Sequence, residues 1–164
     1  MDYSRRRKNL CELLPEDSIV IVSAASRKNR NSDAEYPFRQ DSNFFYLSGY
    51  DEPESILVLK NFGTKKRFTL FCRNRDPLRE QWDGYRSGQE GAKKDFEADE
   101  AHSISLVDEI MPKLIEGSRN IYYSMRAPNG INIKLEKWLD YIRANTRQGS
   151  EVPANLFSLD SILD

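Results

Sequence analysis

Histidine occurs once in this chain, at His102, and that scarcity excludes more chemistry than any other feature of the sequence. Hydrolytic metal sites combine histidine with carboxylates, and hydroxyl or thiol nucleophiles depend on a histidine base oriented by an acid. His102 stands in Glu100-Ala101-His102-Ser103-Ile104, where alternation suggests the start of a strand, and is read as structural or solvent-exposed. Cysteine is nearly as scarce. Cys11 and Cys72 lie far apart among apolar neighbours, as small buried hydrophobes do, and form neither a disulfide framework nor a C-x-x-C pair. No glycine-rich phosphate loop, G-x-G-x-x-G, G-x-S-x-G or H-E-x-x-H motif occurs. No run approaches the ~20 apolar residues that span a bilayer. The basic residues Arg5 to Lys8 are followed by no apolar stretch, which excludes a signal peptide there. Net charge is −1, from 25 Lys and Arg against 26 Asp and Glu, so no overall field draws the chain to nucleic acid or to an anionic membrane. The cytoplasm is the expected compartment.

What is present describes an ordinary domain. The 164 residues are 38% hydrophobic and 31% charged, and a chain of this size buries roughly 70% of the surface its unfolded form exposes. Tyr3, Leu10, Leu13 and Leu14, with Pro15 as a stop, predict a helix over 3–14 whose basic face is solvated. Ser18 to Ser23 reads as a buried central strand, and a polar loop follows from Arg27 to Glu35. Residues 55–60 and 67–72 read as a hairpin turning through Asn61 to Lys66 at Gly63. Asp76-Pro77 starts a helix through Leu78 to Trp82, interrupted by Gly84, which places Trp82 near a helix end or on a loop. A short strand near Ile104, a helix over 107–115 ended by Gly117 and a strand over 120–124 come next. Ile131, Leu135, Trp138, Leu139 and Ile142 then form a helical stripe. Arg143 to Pro153 reads as a polar connection, and the last residues form no recognisable closed element. The alternation predicts an α/β fold, a mixed β-sheet flanked by helices.

Three regions invite a chemical reading. Glu97, Asp99, Glu100, Asp108 and Glu109 are acidic enough for magnesium or manganese but lack a ligand spacing, and are read as a solvated surface. Arg5 to Lys8, and Arg73, Arg75 and Arg79 with Trp82, Tyr85 and Arg86, look like a basic-aromatic nucleic-acid surface. Asp76, Glu80 and Asp83 dilute the second cluster, which is read as a solvated helix face with a protein-contact loop. The third region, Glu35 to Gly49, places five aromatics in eleven residues. Tyr36-Pro37 fixes an extended entry, Asp41 or Ser42 can cap a short helix, and Gly49 can close it in the left-handed conformation, with Phe44 to Leu47 packed on both sides.

That third segment, Tyr36-Pro-Phe-Arg-Gln-Asp-Ser-Asn-Phe-Phe-Tyr-Leu-Ser-Gly49, with Asp51-Glu52-Pro53-Glu54 and the strand Ile56 to Leu59, resembles the amino-terminal domain of the Xaa-Pro aminopeptidase (aminopeptidase P) family, in the creatinase and prolidase group. Arg75-Asp76 through Glu80-Gln81-Trp82-Asp83-Gly84-Tyr85-Arg86-Ser87-Gly88 is similar to the family's second signature, in the same order and spacing. Asn43 stands where the family commonly has aspartate, and Asp83 and Tyr85 also depart from common choices. The resemblance implies that residues 1–157 are the amino-terminal domain and 158–164 the start of a junction to a carboxy-terminal catalytic domain. In the family that other domain holds two divalent metals, usually manganese, on two Asp, two Glu and a His. None of those ligands can be carried over, so this chain is expected to hold no catalytic residue, metal or cofactor and to be inactive alone. The resemblance further implies that Trp82 reaches toward the substrate pocket and, by weaker alignment, that Arg147 lies near the bound peptide. Implied partners are a peptide with proline in second position, the chain's own catalytic domain and further copies in a homo-oligomer, with no nucleic acid and no membrane. A free-standing binding or regulatory module of the same fold is the alternative, and a nucleic-acid binder, which would lose affinity steeply with salt, is the third reading.

Overall fold

Ile19, Val20, Ile21 and Val22 are each almost wholly buried, as β-branched residues are when a strand is covered on both faces. In the computed structural model, which describes residues 1–27, 37–63, 65–125, 130–145 and 152–163, this strand lies inside a six-stranded sheet. In chain order the elements are α1 (Tyr3–Leu13), β1 (Ser18–Ser23), α2 (Ser42–Ser48), β2 (Ile56–Phe62), β3 (Lys65–Cys72), α3 (Pro77–Asp83), α4 (Gly88–Phe96) and β4 (Glu100–Ser103). A 3-10 turn (Ile104–Leu106), α5 (Val107–Ile115), β5 (Asn120–Tyr123), α6 (Ile131–Asn145), β6 (Asn155–Ser158) and α7 (Asp160–Leu163) follow.

The sheet order is β4-β3-β2-β1-β5-β6. β2 is antiparallel to both β1 and β3, and the other pairings are parallel, so β2 runs against the remaining strands. Side chains alternate between the faces. Ile19, Ile21, Ile56, Val58, Phe71 and Ile121 pack beneath Met111 and Ile115 of α5 and Leu135, Trp138 and Ile142 of α6. Val20, Val22, Leu57, Leu59, Leu70 and Cys72 face the opposite way, toward Leu10 of α1, Phe44 and Leu47 of α2 and Ala92 of α4. Each fully buried large aliphatic side chain contributes about 1.5–3 kcal/mol of transfer free energy, so the two interleaved cores hold the sheet from both sides. The fold is the expected α/β mixed sheet flanked by helices.

Several local expectations need correction. The β2–β3 strands reach further toward the turn than the 55–60 and 67–72 runs, because Asn61 and Phe62 continue the ladder with Lys66 and Lys65, and Gly63 follows at φ 68°. The strand expected near Ile104 is β4, which ends at Ser103; Ile104 opens the 3-10 turn, capped by the Ser103 hydroxyl. The chain's last residues do form elements: β6 joins β5 in parallel, and α7 follows it. The basic face of α1 is not wholly solvated. Arg7 is 7% exposed, stacked 4.2 Å over the Phe68 ring, and donates from Nη1 to the Leu47 carbonyl at 2.9 Å. Finally, α2 buries Phe44 and Leu47 but leaves Phe45 and Tyr46 at 39% and 46% exposed, since residues three apart share the inner face of so short a helix. Among the described residues no helix is long and apolar enough to cross a membrane.

Candidate functional site

Trp82 is 88% exposed, and α3, which carries it, contains no buried residue. A seven-residue helix is far too short to stand on its own propensity, so polar groups at its ends must hold it. Asp76 accepts from the Arg79 N–H at 3.2 Å as N-cap, and Pro77 occupies the first turn, where no N–H is needed. Gly84 ends the helix at φ 97° and ψ 167°, a conformation that essentially only glycine tolerates. The Gly84 N–H still reaches the Glu80 carbonyl at 3.1 Å, and Arg27 donates from Nη2 to the Asp83 carbonyl at 3.1 Å.

Glu80 is the group around which the loop closes. Its side chain is 8% exposed. Oε1 accepts from the Arg86 N–H at 2.8 Å and from Arg75 Nε at 2.9 Å, and Oε2 accepts from the Asp76 N–H at 2.9 Å. The Asp76 side chain thus caps the Arg79 N–H while the Glu80 side chain, one residue further on, reaches back to the Asp76 N–H, like a capping box displaced by one residue. The Arg86 N–H, then the Arg75 guanidinium and the Asp76 N–H, hold the Glu80 carboxyl below the usual carboxylate range. Arg75 also lies 5.0 Å from the centre of the Tyr85 ring. Trp82 follows Glu80 by two residues, some 200° around a helix, so a carboxylate turned inward sets the indole outward. Leu78, one helical turn earlier, is exposed on the same side.

A second carboxylate fastens this loop to the body. Glu52 accepts from the Ser87 Oγ at 2.7 Å and the Ser87 N–H at 3.0 Å, and pairs with Arg73 Nη2 at 3.3 Å. The Glu52 backbone is in turn held by Gln40, whose Nε2 donates to the Glu52 carbonyl at 2.8 Å while its Oε1 accepts from the Ala25 and Asp41 N–H groups. The aromatic segment around α2 and the tryptophan loop are thus bonded in series, Gln40 to Glu52 to Ser87. Gly88 completes the join: at φ 66°, with Arg75 Cγ 2.7 Å from where a Cβ would stand, it admits no side chain.

Asp41 caps α2 by accepting from the Phe44 N–H at 2.9 Å, and Gly49 closes it at φ 68°. Asn43 donates from Nδ2 to Asp160 Oδ1 at 3.4 Å. An aspartate at 43 would set two carboxylates together there, so asparagine suits this chain's Asp160, which also accepts from the Ser124 Oγ and the Met125 N–H. Of the basic-aromatic cluster, Arg73 is buried against Glu52, whereas Arg75, Trp82 and Tyr85 are exposed. Burial pushes the Cys72 thiol up to about 11 and raises Cys11 as well, so neither is an activated thiolate. His102 lies against Phe71 on the edge strand β4, the ring centres 5.6 Å apart and the planes tilted by 39°, with Nε2 3.6 Å from Glu100. Among the described residues no three His, Cys, Asp or Glu side chains are gathered as metal ligands. Arg147 lies outside the described residues. In the sequence Glu80 shows only as an acid among basic residues, and Glu52 and Gln40 only as members of the first motif; their positions in the site come from the donors and acceptors that meet them.

Comparison with known proteins gives this geometry a family. A family model described as "Aminopeptidase P, N-terminal domain" matches residues 3–122. The Xaa-Pro aminopeptidase of Escherichia coli is 33% identical over 156 residues, 94% of this chain and 35% of that protein. Intermediate cleaving peptidase 55 of Saccharomyces cerevisiae is 34% identical over 140 residues, 82% of this chain and 27% of its own length. Aminopeptidase PepP of Pseudomonas aeruginosa superposes at a TM-score of 0.93 with 42% identity, covering 99% of this chain and 37% of that one. Escherichia coli aminopeptidase P with the inhibitor Pro-Leu superposes at 0.92 with 31% identity and the same coverage. The chain thus spans about a third of the length of the relatives it matches. By sequence and by fold it belongs to the aminopeptidase P family and corresponds to that family's N-terminal domain.

Proposed function

We propose that this chain is the non-catalytic N-terminal part of a metallopeptidase that removes the residue preceding a proline from peptide N-termini. The observation that carries the reading is the superposition over 99% of the chain at 42% identity on an aminopeptidase. Residues 1–157 form the domain and 158–164 begin the junction to a catalytic domain. The domain contributes oligomer contacts and part of the wall of the substrate pocket, and the enzyme works in the cytoplasm.

In this reading Trp82 is the pocket-wall residue. Its exposed indole offers a flat apolar face to a proline-containing peptide while the ring N–H remains free to bond. The polar frame beneath α3 keeps that face outward, where it can exclude water from a docked chain. Arg147 supplies a positive charge to the bound peptide or its carboxylate. Two divalent metals, manganese in the first instance, would supply Lewis-acid activation of water in such an enzyme. The described residues offer them no ligand set, so the metals would be held outside this part of the enzyme.

The test is release of the N-terminal residue from an Xaa-Pro peptide with manganese, by this chain and by a full-length enzyme in parallel. Activity confined to the longer protein supports the reading; activity of the 164-residue chain alone overturns it.

A further inference from the structure

Trp82 needs a fixed orientation to serve as a wall, yet nothing apolar fixes it: no residue of α3 is buried, and Leu78 and Tyr85 are exposed with it. What the loop has instead is a single carboxylate that receives one bond from each of its three parts. The Asp76 N–H comes from the helix start, Arg75 Nε from the connection that enters the loop after β3 and the Arg86 N–H from the exit. We propose that Glu80 is the positioning residue of the tryptophan loop: its carboxylate closes residues 75–86 into a frame that sets the Trp82 indole against the substrate. The inference rests on the reading of Trp82 as pocket wall and deepens it.

The geometry explains why a carboxylate is required. Three donors converge on two oxygens, two of them backbone N–H groups that no change of neighbouring side chain can withdraw. Glutamine keeps one acceptor oxygen but turns an NH2 group toward an N–H, so it restores half the frame. Alanine leaves all three donors without their acceptor. Aspartate is one methylene too short to span from the helix to both ends of the loop. The frame is separate from the attachment of the loop to the body, which Glu52 makes through Ser87 and Arg73. Removal of Glu80 therefore loosens the loop without detaching it.

The experiment uses the full-length enzyme with Glu80→Ala, Glu80→Gln, Trp82→Ala and the double variant Glu80→Ala/Trp82→Ala, measured on an Xaa-Pro peptide and by amide hydrogen exchange. Glu80→Ala is expected to lower kcat/KM about 10-fold, with Glu80→Gln between it and wild type, because small misplacements of a binding group are costly. In the Trp82→Ala background the same change is expected to cost less than about 2-fold, since a residue acting through the indole has nothing left to position. Exchange at the Asp76 and Arg86 amides is expected to rise about 10-fold or more while α6 is unchanged. Losses that multiply in the double variant overturn the proposal, as does unchanged exchange at those two amides. Wild-type kinetics in Trp82→Ala overturn the pocket-wall reading itself, and the exchange data then show whether the frame exists apart from it.

Discussion

The two tryptophans sit on helices stabilised in opposite ways. α6 is fifteen residues long and buries Ile131, Leu135, Trp138, Leu139 and Ile142 against the sheet. Trp138 is 2% exposed, and its indole N–H donates to Asp108 at 2.9 Å. α3 is half as long, buries nothing, and is held by Asp76, Glu80, Gly84 and the Arg27 guanidinium that donates to the Asp83 carbonyl. Apolar packing spends a helix's side chains on the core. Polar framing of the backbone leaves them free for something outside. The contrast separates a helix that builds the fold from one that the fold displays.

That contrast can be broken or sharpened by measurement. The largest effect is expected from Trp138→Ala, which empties part of the α5–α6 core and should cost about 3–5 kcal/mol in denaturant unfolding. A cost below 1 kcal/mol would mean that α6 is not held by its buried face. Gly84→Ala forces a β-carbon onto a backbone at φ 97° and should cost about 1–3 kcal/mol. Because α3 can open while the sheet stays folded, that cost should appear as faster proteolysis within 75–88, with the global midpoint nearly unchanged. Trp82→Ala should shift global stability by no more than about 0.5 kcal/mol while slowing Xaa-Pro cleavage in the full-length enzyme; a large stability loss would place the indole in a contact that the fold does not contain.

The smallest expected effect is on pH dependence. Glu80 is held below its ordinary value, so the frame's stability is fully present above the unfolded value, roughly pH 4.3. It is lost as pH falls through the lower folded value. Exchange protection at the Arg86 amide, corrected for intrinsic rates, should therefore be flat from about pH 8 to 5 and fall only in stronger acid. The Glu80→Gln variant should lack this acid step, which separates Glu80 from the neighbouring Asp76.

The sequence made α6 and α3 legible for the same physical reasons that hold them. A stripe at helical spacing needs a core to face, and Asp-Pro before an apolar pair needs a helix to start. α4 escaped because Gly88 and Gly91 lower helix propensity and only Gly88 and Ala92 are buried, which leaves no stripe. β6 escaped because three of its four residues are exposed, and the strand exists through its pairing with β5. The exposure of Trp82 near a helix end was readable. The inward turn of Glu80 was not, since a charge in a sequence says nothing about which donors will converge on it. The three bonds that Glu80 accepts make it the anchor of the loop rather than a diluent of basic charge.

The sheet begins and ends on strands of four residues, β4 and β6, each parallel to its neighbour. Short edges are a defence against association, because a foreign strand finds few backbone groups to pair with. The two edges are not equally defended. β4 carries Glu100 and His102, whereas β6 presents Leu156 and Phe157, partly exposed, with Phe157 stacked on Tyr122 at 5.0 Å. If concentrated solutions of this domain aggregate, the β6 edge is where the first mispairing should start, and a lysine in place of Leu156 is the substitution to delay it.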